Sequence, residues 1–139
     1  MAQSIREVMT ADPRTVETGA TVVEAARAMA QDDIGAVLVT DNGRVTGIVT
    51  DRDIVVRSIA EGRDPSSTKV TEVCTADPAT LTVDQSVEDA IRIVREQDVR
   101  RIPVVQDGRP AGIVSIGDLA IERDATSALA DISSEPANN

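Results

Sequence analysis

Residues 47–53 read Gly-Ile-Val-Thr-Asp-Arg-Asp, and residues 112–118 read Gly-Ile-Val-Ser-Ile-Gly-Asp. The two stretches stand 65 positions apart, and the same offset aligns residues 7–54 with residues 72–119 without a gap. Glu7-Val8 returns as Glu72-Val73, Thr10-Ala11-Asp12-Pro13 as Thr75-Ala76-Asp77-Pro78, and Asn42-Gly43-Arg44 as Asp107-Gly108-Arg109. Of the 48 aligned pairs, 18 are identical. Many others are apolar exchanges of similar volume, such as Ile34 with Val99 and Val37 with Ile102, which two copies of one packed core would retain. A repeat of this kind governs every later reading, because each element must be explained twice.

At 139 residues the chain suits one domain, or two small intertwined ones. A half of about 60 residues buries too little of its surface for comfortable stability alone, so the halves are expected to share a core. Hydrophobic residues make up 41% of the chain, yet Phe, Tyr and Trp are absent. The interior must be built from Val, Ile, Leu, Met and Ala, and any bound base would rest on aliphatic groups. A net charge of -10 repels nucleic acid and anionic membrane surfaces. With no His and a single Cys, Cys74, the commonest general base and metal ligand are missing, and neither an intrachain disulfide nor a thiolate zinc site can form. No metal site is expected, and most enzyme mechanisms lose their usual parts. The opening MAQSIREVMT lacks a long apolar core, and no later apolar run approaches the ~20 residues of a membrane span. A soluble, cytoplasmic protein is expected, in keeping with a free Cys74.

Asp12-Pro13 and Asp77-Pro78 break any helix, and extended segments begin at Thr15-Val16 and Thr80-Leu81. Helices follow: Thr21 with Glu24 fits a capping box and Ser86 with Asp89 is its shorter-armed counterpart. Val22, Ala25, Ala26 and Met29 recur as Val87, Ala90, Ile91 and Val94, a helical spacing that marks one buried face. Apolar runs at 36–39 and 102–105, turn signals at Asp41-Asn42-Gly43 and Gln106-Asp107-Gly108, and further apolar runs at 45–49 and 111–114 predict a hairpin in each half. A second helix opens at Thr50 or Ser115. The first carries Ile54, Val55, Ile59 and Ala60 and ends at Gly62, and the second carries Leu119 and Ile121. Each half therefore reads β-α-β-β-α, an α/β (α+β) class of fold. The expected boundaries are 5–62 for the first repeat, 63–71 for a connector, 72–123 for the second repeat and 124–139 for a mobile tail.

A doubled β-α-β-β-α unit whose second hairpin strand runs into Gly-Ile-Val-Thr/Ser-x-x-Asp, with Val-Arg-Arg-Ile-Pro-Val-Val at 99–105, resembles the CBS domain pair, or Bateman module. The likeness covers roughly residues 5–123, and the whole chain, with the stretch at 50–65, is also similar to small stand-alone actinobacterial CBS proteins. The resemblance implies two units packed through their sheets with pseudo-two-fold symmetry, dimerisation, and adenosine-containing ligands such as AMP, ADP, ATP or S-adenosylmethionine bound in clefts between the repeats. No resident cofactor is required.

The residues supply a physical reason. A carboxylate can accept two hydrogen bonds from the hydroxyls of a ribose, and a nearby Ser or Thr can meet the sugar or phosphate. Thr50 with Asp53, and Ser115 with Asp118, have that spacing at the start of a helix, beside free N–H groups that favour an anion. By resemblance, one cleft combines Ser115 and Asp118 with Thr15, Ile34, Gly35 and Ala36, with Arg101 in reach of phosphate. The other combines Thr50 and Asp53 with Thr80, Val99 and Arg100. Gly35 and Ala36 stand where Arg100 and Arg101 stand in the other copy, so the Asp53 cleft lacks a matching basic group, and the Asp118 cleft is favoured as the nucleotide site.

Each of these pairs also reads as an ordinary capping box, and the two roles are compatible. Arg100 and Arg101 can equally be surface charges offsetting Glu96 and Asp98. Cys74 aligns with Met9 and reads as a small buried hydrophobe rather than a reactive thiol. Asp51, Arg52 and Arg57 read as charge pairs on a helix surface. The expectation is a non-enzymatic sensor of adenosine nucleotides, a homodimer through the apolar surface of Ile54, Val55, Val56 and Ile59, acting on an unidentified partner protein by population shift or sequestering nucleotide. A structural or interaction protein with ligand-free clefts is the first rival. A metal-assisted phosphohydrolase is the second and weaker one.

Overall fold

The computed structural model describes residues 3–123, so the expected tail at 124–139 lies outside the described residues. The elements run α1 (Ile5–Val8), β1 (Thr10–Ala11), β2 (Thr15–Glu17), α2 (Val22–Asp32), β3 (Ala36–Asp41), β4 (Arg44–Thr50), α3 (Asp51–Asp53) continued by a π-helix (Ile54–Ile59), a 3-10 turn (Val70–Glu72), β5 (Thr75–Ala76), β6 (Leu81–Thr82), α4 (Val87–Gln97), β7 (Arg101–Gln106), β8 (Arg109–Ser115) and α5 (Ile116–Arg123). The β-α-β-β-α order is present twice, as β2-α2-β3-β4-α3 and as β6-α4-β7-β8-α5.

The chain folds into two compact units that do not follow the halves of the sequence. Of the described residues, one contains 13–78 with 108–110, and the other contains 3–12 with 79–107 and 111–123. Each has a four-stranded sheet, ordered β2-β3-β4-β5 in the first and β1-β8-β7-β6 in the second. In the first, β2 runs parallel to β3 with Thr15 opposite Leu38, and β3 and β4 form an antiparallel hairpin. The edge strands were not foreseen: β5 pairs antiparallel with β4, and β1 pairs antiparallel with β8. Since β1 and β5 hold equivalent places in the repeat, each unit is closed by the strand that leads the other repeat.

The same repeat positions carry the backbone's unusual conformations. Asp12 and Asp77, Asp33 and Asp98, and Asn42 and Asp107 all have positive φ, between 47° and 55°. Asp and Asn tolerate this left-handed region better than other non-glycine residues because their short polar side chains bond locally. Asp33 and Asp98 end α2 and α4 in this conformation, and Asp12 and Asp77 stand where the chain leaves one unit for the other.

Two separate cores fill the units. Val22, Ala25, Met29, Val37, Val39, Val49, Ile54, Val70 and Val73 are among the buried residues of the first. Ile5, Leu81, Val87, Ala90, Ile91, Ile102, Val104, Val114 and Leu119 are among those of the second. The helix face differs from the expected one at a single place: Ala26 is exposed, and Ala28 is buried instead. Ala26 and Ala28 lie on opposite sides of the Val22–Ala25–Met29 stripe, and the buried face turns toward Ala28. The 63–71 stretch is tied down rather than loose, since the Val70 N–H donates to Ala20 O at 2.9 Å and the Val22 N–H to Thr68 O at 2.8 Å.

The Thr21–Glu24 box is half formed. The Glu24 N–H donates to Thr21 Oγ1 at 3.2 Å, but no bond returns from the Glu24 carboxylate, whereas Ser86 and Asp89 exchange both bonds at 3.2 Å. The second helix of the first repeat also departs from a plain α-helix. Its π-helical stretch buries Ile54 and Ser58, while Val55, Val56 and Ile59 are 58%, 44% and 55% exposed. Ile54 therefore belongs to the core and not to the apolar surface. The helix stops at Ile59, three residues before Gly62, whose φ is +74°.

Candidate functional site

Each unit presents a carboxylate in a capping box at the head of a helix that follows directly from a sheet strand. In the first unit, the Thr50 N–H donates to Asp53 Oδ2 at 2.9 Å and the Asp53 N–H donates to Thr50 Oγ1 at 3.1 Å. In the second, the Ser115 N–H donates to Asp118 Oδ2 at 3.0 Å and the Asp118 N–H to Ser115 Oγ at 3.2 Å. These are reciprocal capping boxes. They orient each carboxylate by its Oδ2 and leave Oδ1 for another partner.

The adjacent strand fixes where each helix starts. The Asp51 N–H donates to Gly35 O at 2.9 Å, and the Ile116 N–H donates to Arg100 O at 2.9 Å, a matched pair of bonds at equivalent positions. Thr50 and Ser115 end their strands, and Ala36 lies opposite Thr50 in the β3–β4 register. The carboxylates of Asp53 and Asp118 are both half-buried.

Their electrostatic settings differ. Arg57 Nε stands 3.9 Å from Asp53 Oδ1, with the Asp53 side chain 15% exposed. Among the described residues Arg57 pairs with Asp53, and the Arg52 N–H donates to Asp51 Oδ1 at 2.8 Å. No ion pair among the described residues involves Asp118, and the residue matching Arg57 in the second repeat is an acid, Glu122. From sequence, position 57 reads as part of a surface charge pair. Its place one turn after Asp53 was the available signal that it belongs beside the candidate carboxylate.

The remaining candidates fall as follows. In the first unit, Thr15 is half-buried opposite Leu38, Ile34 is exposed, Gly35 is half-buried and Ala36 is buried. In the second, Thr80 is exposed, Val99 is half-buried against the core, Arg100 is exposed, and Arg101 is half-buried at the start of β7. The structure brings Thr50, Asp53, Gly35 and Ala36 into one unit, and Ser115, Asp118, Arg100 and Arg101 into the other. Cys74 is half-buried against the first core. Burial pushes its thiol up, the Asp53 carboxylate adds to the rise, and its own main-chain hydrogen bond and the Arg57 cation oppose it.

The model of the CBS domain family matches residues 5–59 and again residues 70–124. The chain belongs to the CBS domain family. It is 38% identical over 134 residues to the CBS domain-containing protein YhcV of Bacillus subtilis, covering 94% of this chain and 95% of that protein. It is 34% identical over 116 residues to Hypoxic response protein 1 of Mycobacterium tuberculosis, covering 83% of this chain and 81% of that one. The crystal structure of Hypoxic Response Protein I, solved with two coordinated zinc ions, superposes with a TM-score of 0.77 at 32% identity, covering 86% of this chain and 98% of that one. The hexameric CBS-CP12 protein from bloom-forming cyanobacteria superposes with a TM-score of 0.81 at 29% identity, covering 89% and 74%. This CBS pair contains, among its described residues, no group of three or more His, Cys, Asp or Glu side chains placed to hold a metal ion. No helix among those residues is long and apolar enough to cross a membrane.

Proposed function

We propose that this CBS pair is a non-enzymatic regulatory module that binds adenosine-containing nucleotides through its helix-leading carboxylates. The observation that carries the reading is the repeated geometry at Asp53 and Asp118. In both copies a capping box spends Oδ2 on a main-chain N–H and leaves lone pairs on a half-buried carboxylate for the hydroxyls of a ribose. Asp118 is the favoured acceptor because no described cation competes for its Oδ1, and Arg101, at the start of β7 in the same unit, supplies positive charge for a phosphate. Ser115, whose hydroxyl accepts from Asp118, retains a donor for the sugar.

A ligand held in this way stabilises the conformation that binds it best and so shifts the population that a partner protein meets. Thermal unfolding tests the reading. At 100 times its dissociation constant a ligand adds about 2.7 kcal/mol, which raises the melting temperature of a protein this size by several degrees, at about 2–4 °C for each kcal/mol. AMP or ATP is expected to give that shift. An unchanged curve across adenosine, AMP, ADP, ATP, NAD and S-adenosylmethionine would favour an interaction protein without a ligand.

The reading includes self-association through the π-helix, where Val55, Val56 and Ile59 leave apolar surface exposed that a second copy would cover. The hexameric state of the cyanobacterial CBS-CP12 protein supports it as a habit of such folds. Sedimentation velocity should give a dimer that Val56→Asp converts to monomer, because a buried carboxylate in an apolar contact is strongly disfavoured. A monomeric parent protein would exclude it.

A further inference from the structure

Arg57 is held in place by main-chain oxygens rather than by an acid. Its Nη1 donates to Val73 O at 3.2 Å and to Cys74 O at 3.4 Å. Its Nε stands 3.9 Å from Asp53 Oδ1, near enough for attraction and too far for a hydrogen bond. A guanidinium carries its N–H donors in a planar fork. Here the Nη1 end is engaged, no hydrogen bond from Nε or Nη2 is formed with a described residue, and the side chain is 52% exposed. Three other arginines are closed onto their acids, Arg14 to Asp32 at 3.0 Å, Arg63 to Glu72 at 3.1 Å and Arg92 to Asp89 at 2.9 Å, while Arg6 stands 3.9 Å from Asp84. Arg57 therefore presents an anchored, partly open cationic edge beside the Asp53 carboxylate. Glu122 at the matching position gives the Asp118 copy nothing equivalent.

We propose that Arg57 sets the ligand class of the Asp53 site: a cis-diol that also carries an anionic group such as a phosphate, with the anion taken by the Nε–Nη2 edge of Arg57. This rests on Asp53 acting as a diol acceptor. Four residues advance at most about 6 Å along a helix, at the α-helical rise of about 1.5 Å each, comparable with the distance from a ribose diol to its 5'-phosphate. The fork of donors matches phosphate oxygens two at a time. Without an anion the same cation draws on the lone pairs of Oδ1 and disfavours a neutral diol. The positive charge for this site comes from its own helix, not from the strand position held by Gly35 and Ala36, where its absence was noted from the sequence.

The test is calorimetric titration of AMP and adenosine into the Asp118→Asn protein, which leaves Asp53 as the remaining acceptor. AMP should bind at least about tenfold more tightly than adenosine, the scale of a charge-assisted hydrogen bond. Arg57→Gln retains an amide donor for the Val73 and Cys74 oxygens but removes the charge, and should bring the ratio close to one by weakening AMP alone. Arg57→Lys, which keeps the charge and loses the fork, should fall between. An unchanged ratio in Arg57→Gln would make Arg57 a strap between helix and chain and overturn the proposal while leaving Asp53 as a diol acceptor. AMP binding that survives Asp53→Ala in the Asp118→Asn background, or no binding to Asp118→Asn at all, would instead overturn the diol reading itself.

Discussion

Asp118→Ala should weaken AMP binding about 30- to 150-fold, the equivalent of roughly 2–3 kcal/mol for lost hydrogen bonds to a charged acceptor. The size of the effect follows from the geometry. The carboxylate is half-buried and is oriented by the Ser115 N–H at 3.0 Å, so a ribose would meet a fixed acceptor instead of ordering a mobile side chain. The substitution also removes half of a capping box, which costs about 1 kcal/mol of folding stability. Asp118→Asn separates the two effects, because its side-chain oxygen can still accept from Ser115 while the charge is gone. Calorimetric titration should find Asp118→Asn impaired in AMP binding yet close to the parent protein in melting temperature. Equal AMP affinity in the parent and both variants would remove Asp118 from the site.

The second large effect is structural and concerns the glycines that open the repeated motif. A Cβ on Gly112 would lie 2.7 Å from Thr10 O and 2.6 Å from Met9 Sδ. The methionine can move aside, but the main-chain oxygen belongs to β1, whose pairing with β8 sets Ala11 opposite Gly112. Gly112→Ala must therefore push β1 off its partner or strain it, at about 2–3 kcal/mol. That corresponds to a melting temperature lower by roughly 4–12 °C, at about 2–4 °C for each kcal/mol. Gly47, its counterpart, would meet Thr75 O at 3.0 Å and Cys74 Sγ at 3.1 Å, distances that a shift of a few tenths of an ångström relieves. Gly47→Ala should thus cost less than Gly112→Ala. Equal losses, or none at Gly112, would show that the exchanged edge strands are not tightly held.

Those edge strands also mark the limit of what the sequence discloses. The 65-residue repeat, its helix faces and its hairpins follow from local spacing, because alternation and helical periodicity are written in neighbouring residues. The capping boxes at Thr50–Asp53 and Ser115–Asp118 were legible for the same reason. Which sheet Thr10-Ala11 and Thr75-Ala76 would join was not, since two-residue strands carry no periodicity and their partners lie far along the chain. The π-helix was hidden because one widened turn leaves the apolar pattern nearly intact while moving Ile54 inward and leaving Val55, Val56 and Ile59 outward. Arg57 reads from sequence as a surface charge grouped with Asp51 and Arg52, and its i, i+4 relation to Asp53 is missed. Its anchorage on Val73 O and Cys74 O depends on where the chain returns sixteen residues later, which no local pattern encodes.

The account stands on a ribose meeting the Asp118 carboxylate. The most direct measurement is a titration of the isotopically labelled protein with AMP, followed by the main-chain amide resonances. The Ser115 N–H, which donates to Asp118 Oδ2, and the Asp118 N–H, which donates to Ser115 Oγ, should be among the resonances that move most, saturating together, and the shifts should vanish in Asp118→Ala. Saturable shifts that leave Ser115 and Asp118 unmoved, or no shifts at millimolar AMP, would contradict it.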